Sequence, residues 1–210
     1  MELKLPHSAF VNKFIAKTKF YERALLSHKL QQEFVQKIQK VTWKYKLAEN
    51  TLGVNKTDKV TEIQIFEIEL KEKNIPKKVL KVIDGSIPYQ ILYIFIYQNN
   101  FAYGITLKEE NKAENYYFSE WNEDIIFDFI GVDLEKIYQK LVKAFIKEEA
   151  QNQKDFSDAI GLDQEIKSLE KEIITLQNKI QRERQFNRKV ELNKTLLAKE
   201  KELKQITKDV

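Results

Sequence analysis

Cysteine is absent from this 210-residue chain, and histidine occurs only twice, at His7 and His28. Disulfide bridges are therefore excluded, and so are zinc sites built from thiolates or from several imidazoles, because the ligands are missing. No cysteine nucleophile is available either. The two histidines lie far apart in the sequence, one beside a proline and one in an amphipathic stretch, so we do not expect them to be catalytic.

Glycine is scarce, and long apolar runs are missing. The five glycines are isolated from one another, which excludes a glycine-rich phosphate loop and a Gly-x-Ser-x-Gly nucleophile turn. No apolar run reaches the roughly 18 residues that suggest a membrane span. The first residues lack the basic-then-apolar pattern of a signal peptide. We therefore expect a cytoplasmic protein that has no membrane partner and needs no cofactor.

Charged residues are plentiful but unevenly distributed along the chain, whose net charge is only +4. Residues 1–50 hold ten basic against four acidic side chains, whereas residues 109–135 hold nine acidic side chains and one lysine. The stretch 179–194 holds six basic against two acidic side chains. Local basic patches matter more for nucleic-acid binding than total charge does. For the N-terminal patch, a merely solvated surface is an equally good interpretation.

The hydrophobic pattern predicts an α+β body over residues 1–150, in which helices cover an antiparallel sheet. Alternating apolar residues predict a strand over 60–71, and helical spacing predicts a helix over 22–41. Asp133 is expected to cap an amphipathic helix. The remaining predicted elements are a strand around Trp43 to Leu47, a loop from Thr51 to Thr57, a helix from Pro76 that stops at Asp84-Gly85, a buried strand after Pro88, a hairpin turn at Gln98 to Asn100, and a strand from Tyr116 to Trp121.

The C-terminal third predicts an antiparallel helical hairpin of the coiled-coil type. A polar linker over residues 151–162 precedes it, and the hairpin itself spans 163–210. Apolar residues recur at alternating steps of three and four in both predicted helices, 163–181 and 189–208, with charged flanks. Each helix would be marginal alone, so it must fold back on its partner or pair with a second chain. The apolar seam residues are Ile166, Leu169, Ile173, Leu176, Ile180, Leu192, Leu196, Leu203 and Ile206.

The segment that joins these two helices is a candidate binding tip. Arg182, Arg184, Arg188 and Lys189 surround Phe186. Guanidinium groups bind phosphates or carboxylates with two parallel hydrogen bonds, and an exposed aromatic ring could stack or fill a pocket. The alternative is that Phe186 folds inward to cap the hairpin and that the basic side chains are only solvated.

One strand carries a weaker candidate for catalysis. Glu67, Glu69 and Lys71 alternate, so their side chains share one strand face. Metal-dependent nucleases use such a Glu-x-Lys step, in which the carboxylate holds Mg²⁺ and the lysine positions the attacking water or the phosphate. These sites also need an upstream acid, for which Asp58 is the candidate, although it is expected in a loop before the same strand. Alternating charges are equally typical of a solvent-facing strand.

Several ordered segments resemble a bacterial family called domain of unknown function 4391, over essentially the whole chain. The resemblance rests on LPHSAFVNKFIAKTKFYE at the start, WKYKL at 43–47, VTEIQIFEIELK at 60–71, IDGSIPYQILYIF at 83–95, YFSEW at 117–121 and RQFNRKVELN at 184–193. Members of that family are encoded beside helicases and DNA methyltransferases of restriction-like antiphage defence loci. The resemblance thus implies a DNA-associated defence partner, and it implies no catalytic residues.

These observations favour a non-enzymatic accessory subunit that binds a helicase or DNA methyltransferase subunit, nucleic acid, or both. A divergent nuclease that uses the Glu69-x-Lys71 strand with Asp58 and Mg²⁺ is the alternative. A homo-oligomeric structural protein is the third interpretation. An acidic side chain brought next to Glu69 and Lys71 by the fold would favour the nuclease.

Overall fold

The computed structural model describes residues 3–24, 26–109 and 112–208. The chain divides into two compact units, Met1–Phe145 and Ile146–Val210. The first unit is a mixed α+β body, and the second is helical. The division lies slightly before residue 150, the end of the body predicted from the sequence.

Six strands in the described ranges form one sheet, and their order in the sheet follows their order in the sequence. Neighbouring strands are antiparallel with one exception, since β3 and β4 are parallel. The mostly antiparallel sheet confirms the predicted fold class. The pair β3 and β4 departs from it because a crossover helix returns the chain to the end of the sheet where β3 began. The strands are β1 (Phe10–Phe14), β2 (Ile38–Ala48), β3 (Glu62–Leu70), β4 (Gln90–Tyr97), β5 (Asn100–Glu109) and β6 (Lys112–Phe118).

Helices cover both faces of this sheet. The helices of the body are α1 (Thr18–Ala24), α2 (His28–Lys37), α3 (Glu49–Leu52), α4 (Lys77–Ser86) and α5 (Leu134–Lys143). Phe34 of α2 and Leu80 of α4 pack with Phe66, Tyr93 and Phe95 in one buried cluster. The alternate residues of β3 and β4 point to the opposite face, where α5 contacts β3 and β5. Both faces are therefore core, which explains the unbroken apolar run of β4.

Three predicted elements of the body need correction. The helix predicted over 22–41 is wrong in two places: α1 ends at Ala24 and α2 begins only at His28, and after Lys37 the chain enters the sheet, where Ile38 pairs with Leu70. The helix stop predicted at Asp84-Gly85 is also wrong, since α4 continues through both residues to Ser86. The predicted loop at 51–57 contains the end of α3, which terminates at Gly53 with a left-handed φ of 69°.

The second unit contains a helical hairpin. The helices of this unit are α6 (Glu148–Gln151), α7 (Phe156–Arg182) and α8 (Phe186–Lys208). The hairpin consists of α7 and α8. Lys199 of α8 forms a salt bridge of 3.1 Å with Glu172 of α7, while Lys179 and Leu192 line one groove nearer the connection. Residues later in α7 thus lie beside residues earlier in α8, so the two helices run antiparallel, as predicted.

The stretch predicted as a linker, 151–162, includes the first turns of α7. Asp155 caps that helix, since its carboxylate accepts hydrogen bonds from the backbone N–H groups of Ser157 and Asp158. Ile166 and Leu169 of α7 are buried, whereas the seam residues of α8, including Leu196, are only half-buried. A two-helix hairpin has a narrow interior, and this one leaves apolar surface in contact with water.

Candidate interaction surface at the hairpin tip

The connection between α7 and α8 is three residues long and is held by one acidic side chain. Glu183 Oε1 accepts hydrogen bonds from the backbone N–H groups of Arg184 at 2.8 Å and Gln185 at 2.9 Å. These bonds hold the pKa of the Glu183 carboxyl below its usual range, and the charge of Arg188 adds to the effect. Glu183 thus fixes the turn, and the surrounding basic side chains are left to face the solvent.

Phe186 is the first residue of α8, and 78% of its side chain is exposed. The sequence left open whether this ring caps the hairpin interior or faces outward. In the structure it faces outward and adds nothing to the seam between the helices. An exposed aromatic ring among charged groups is unfavourable in water and is typical of a contact site.

Four basic residues flank Phe186 along the chain. Arg182, Arg184, Arg188 and Lys189 are all exposed, and within the described part of the chain none of them takes part in a salt bridge. A groove of about 560 Å³ beside them is walled by side chains from both helices. Its lining residues are Lys179, Arg182, Glu183, Arg188, Glu191, Leu192 and Thr195. The tip therefore offers guanidinium forks whose donors are free for an anionic or carboxylate-bearing partner.

The residues of the nuclease alternative do not converge. Glu69 forms a salt bridge of 3.2 Å with Lys40 on the neighbouring strand. Asp58 lines a shallow pocket beside Glu62, at the opposite end of β3. Glu62 and Glu69 are seven positions apart on β3, so Asp58 lies about 20 Å or more from Glu69, given a rise of about 3.3 Å per residue. Lys71 is exposed beyond the end of β3.

Acidic side chains elsewhere on β3 also have basic partners. Glu67 lies 3.2 Å from Lys44, and Glu62 lies 2.8 Å from Lys46. Among residues 3–24, 26–109 and 112–208, no three histidine or acidic side chains are grouped so that they could hold a metal ion. The Glu and Lys alternation on β3 thus matches cross-strand charge pairing with β2.

The body contains one larger concavity that the sequence does not reveal. It has a volume of about 720 Å³ and lies between α1, strands β2 and β3, and the connection from α4 to β4. Its walls are mainly apolar and include Phe20, Trp43 and Phe66. These residues are scattered over the first half of the chain, so only the fold brings them together.

A buried polar cluster lies where α4 meets the sheet. Lys108 Nζ lies 3.3 Å from Asp84 Oδ1 and donates hydrogen bonds to the backbone carbonyls of Ile87 at 2.8 Å and Tyr89 at 2.7 Å. The Tyr116 hydroxyl donates to Asp84 Oδ2 at 2.6 Å. Burial raises the pKa of Asp84 and lowers that of Lys108. Both side chains are inaccessible to solvent, so this cluster joins structural elements.

None of the helices in the described ranges combines the length and the apolar content that crossing a membrane requires.

Comparison with known proteins places the chain in a family. Neither the curated proteins nor the solved structures contain a significant match to this sequence. A family model does match, over residues 3–203, which is nearly the whole chain. The protein therefore belongs to the family described as domain of unknown function (DUF4391).

Proposed function

We propose that this protein is a non-enzymatic accessory subunit of a DNA-directed defence system, in which the hairpin tip contacts a helicase or DNA methyltransferase subunit, nucleic acid, or both. The single observation that carries the proposal is the exposure of Phe186 among four basic side chains that make no salt bridge in the described residues. The defence context comes from the resemblance of the sequence to a family encoded beside such enzymes.

The shape of the hairpin suits this role. The shorter of its two helices has 23 residues, so the tip lies about 35 Å from the base of the hairpin at 1.5 Å per residue. A narrow helical arm can enter a groove of a partner that a broad surface cannot reach. Arginine forks at its end would pair with phosphates or carboxylates, and Phe186 would supply an apolar anchor.

Two observations count against the nuclease alternative. Asp58 and Glu69 lie at opposite ends of β3, and Glu69 already has Lys40 as its partner. Two-metal and one-metal nuclease sites need carboxylates that converge on the same ion. The accessory role requires no such convergence.

The proposal is tested by removing the charges of the tip. The variant Arg182→Ala/Arg184→Ala/Arg188→Ala/Lys189→Ala is compared with wild type for binding to labelled single- and double-stranded DNA and RNA, and to any helicase or DNA methyltransferase encoded beside the gene. The matched control Lys56→Ala/Lys81→Ala/Lys171→Ala/Lys201→Ala removes the same charge from four other exposed sites. We expect the tip variant to lose binding and the control to keep it.

If nucleic acid is the target, wild-type affinity should fall steeply with salt, and the tip variant should show a shallower slope because fewer counterions are released. Unchanged binding of the tip variant to every one of these partners would contradict the proposal.

A further inference from the structure

An acidic, apolar segment follows the last strand of the body. Residues 120–133 contain five acidic side chains and no basic one. They connect β6 to α5, and residues 125–131 have neither helical nor strand structure. We call residues 120–133 the acidic segment.

Inward-facing aromatic rings anchor this segment to the body. The ring of Phe127 meets Tyr103 edge-on at 4.8 Å between centroids and lies 5.8 Å from the ring of Phe145. The ammonium group of Lys140 lies 2.6 Å from the Asp128 carboxylate and donates a hydrogen bond of 2.8 Å to the carbonyl of Ile130. These contacts hold the backbone of the segment in place.

Three apolar side chains of the segment face outward and are largely exposed. The side chains of Ile126, Ile130 and Val132 are exposed by 93%, 79% and 80%. They are interleaved with inward-facing Phe127 and Phe129, as expected for a backbone near extended geometry. Grouped exposed aliphatic side chains with an acidic surround are typical of a protein contact site. Since the segment is anchored, its exposed face is available without rearrangement.

We propose that the hairpin tip of a second copy of this chain docks on the acidic segment. The inference concerns the same tip as the proposed function and rests on its role as a contact site. The two surfaces are complementary in charge, because residues 182–189 carry four basic side chains and one acidic side chain. They are also complementary in apolar character, because Phe186 would cover Ile126 and Ile130 while the arginines face Glu120 and Asp124.

Charge also excludes the simplest symmetric arrangement. Two acidic segments placed against each other would bring ten carboxylates together with only the Lys140 of each copy beside them, and two tips would repel each other in the same way. Contact between unlike surfaces is heterologous, and each copy carries both surfaces. The attraction between exposed charges should weaken as salt rises.

The first experiment measures self-association of the full chain by sedimentation equilibrium over a range of concentrations, at low and at high salt. We expect association that weakens at high salt. Ile126→Ser/Ile130→Ser should raise the dissociation constant about tenfold or more, as loss of central apolar anchors does. A matched control, Ile174→Ser/Leu197→Ser, removes two exposed aliphatic side chains from the hairpin shaft and should leave association unchanged.

Charge reversal provides the decisive test. Arg184→Glu/Arg188→Glu and Glu120→Lys/Asp124→Lys should each abolish self-association, because each variant opposes like charges at the contact. Mixing the two variants should restore association, since the unchanged basic tip of one variant then meets the unchanged acidic segment of the other. A wild-type chain that is monomeric at all concentrations, or a mixture that fails to associate, would overturn the inference. Association lost only in the Ile174→Ser/Leu197→Ser control would also overturn it, in favour of pairing between hairpins.

The same variants separate this inference from the proposed function. Ile126→Ser/Ile130→Ser leaves the tip intact, so it should still bind the nucleic acid or the enzyme subunit that the wild type binds. If wild type binds those partners but does not self-associate, the inference fails and the proposed function stands. If it self-associates but the tip variant binds those partners as well as wild type does, the proposed function fails and the inference stands.

Discussion

Asp84 and Lys108 form a salt bridge of 3.3 Å in which neither side chain is accessible to solvent. Asp84 belongs to α4 and Lys108 to β5, so the pair joins a covering helix to the sheet. Lys108 also satisfies three backbone carbonyls around the end of α4, those of Asp84, Ile87 and Tyr89. Removing one partner of a buried ion pair is strongly destabilising. The remaining charge still bears the cost of being removed from water, but the attraction that offset this cost is lost.

We therefore predict that Lys108→Met lowers the free energy of unfolding by about 3–5 kcal/mol, measured by urea denaturation. Asp84→Asn/Lys108→Met should recover part of that loss, because the isolated carboxylate is gone while the amide oxygen can still accept from Tyr116. The control Lys40→Met removes a pair with Glu69 that is partly exposed on both sides, and should cost at most about 1 kcal/mol. Equal losses in the two lysine variants would contradict the assigned role of Lys108.

Two aromatic rings from the neighbouring strands β4 and β6 pack over Gly104, which leads to a second prediction. A Cβ atom at Gly104 would lie 2.8 Å from Cδ1 of Phe118 and 2.9 Å from Cε2 of Phe95. Gly104→Ala should therefore destabilise the body by about 1–3 kcal/mol, the usual cost of overpacking a core. Gly161→Ala is the control, since its Cβ would meet nothing within 4 Å in the interior of α7, and should stabilise by about 0.5–1 kcal/mol. Thermal unfolding of both variants tests the sign of each change.

Phe186→Ala should separate binding from stability. Because 78% of the side chain is exposed, its loss should change the unfolding free energy by no more than about 0.5 kcal/mol. If the tip binds a protein, Phe186→Ala should weaken that complex more than any single arginine substitution, as a central aromatic anchor would. Isothermal titration calorimetry measures the change in binding, and chemical denaturation measures the change in unfolding free energy. A large loss of stability with unchanged binding would identify Phe186 as a structural residue.

The purified protein should not cleave DNA in the presence of Mg²⁺ or Mn²⁺. The physical reason is that Asp58 and Glu69 lie at opposite ends of β3, while Glu67 and Glu69 are each paired with a lysine of β2. The assay uses single- and double-stranded substrates over a range of metal concentrations. Cleavage by the wild type that disappears in both Glu69→Ala and Lys71→Ala would establish the nuclease alternative.

The sequence predicts elements well where the signal is local. Asp133 caps α5 as expected, with its carboxylate accepting from the Lys136 N–H at 2.7 Å. The turn before Asn100 also forms the expected hairpin between β4 and β5. Both features depend on side chains within four residues of one another, so the sequence pattern contains the needed information.

Prediction fails where distant segments decide the outcome. Ile38 lies at helical spacing from Phe34, but pairing with Leu70 places it in β2. Asp84 and Lys108 are 24 residues apart, and nothing local marks either as buried. For the tip, the sequence predicts the basic cluster but cannot decide which way Phe186 points, since that depends on how α7 and α8 pack.

The strand order of the sheet has a consequence for how the body is made. Each strand bonds only to strands adjacent in the sequence, so no pairing must wait for a distant part of the chain. The longest connection between bonded strands is residues 15–37, between β1 and β2. Loop-closure entropy rises slowly with such lengths, and topologies rich in local pairings fold quickly. The sheet can therefore grow strand by strand from its N-terminal edge while the ribosome is still synthesising the hairpin.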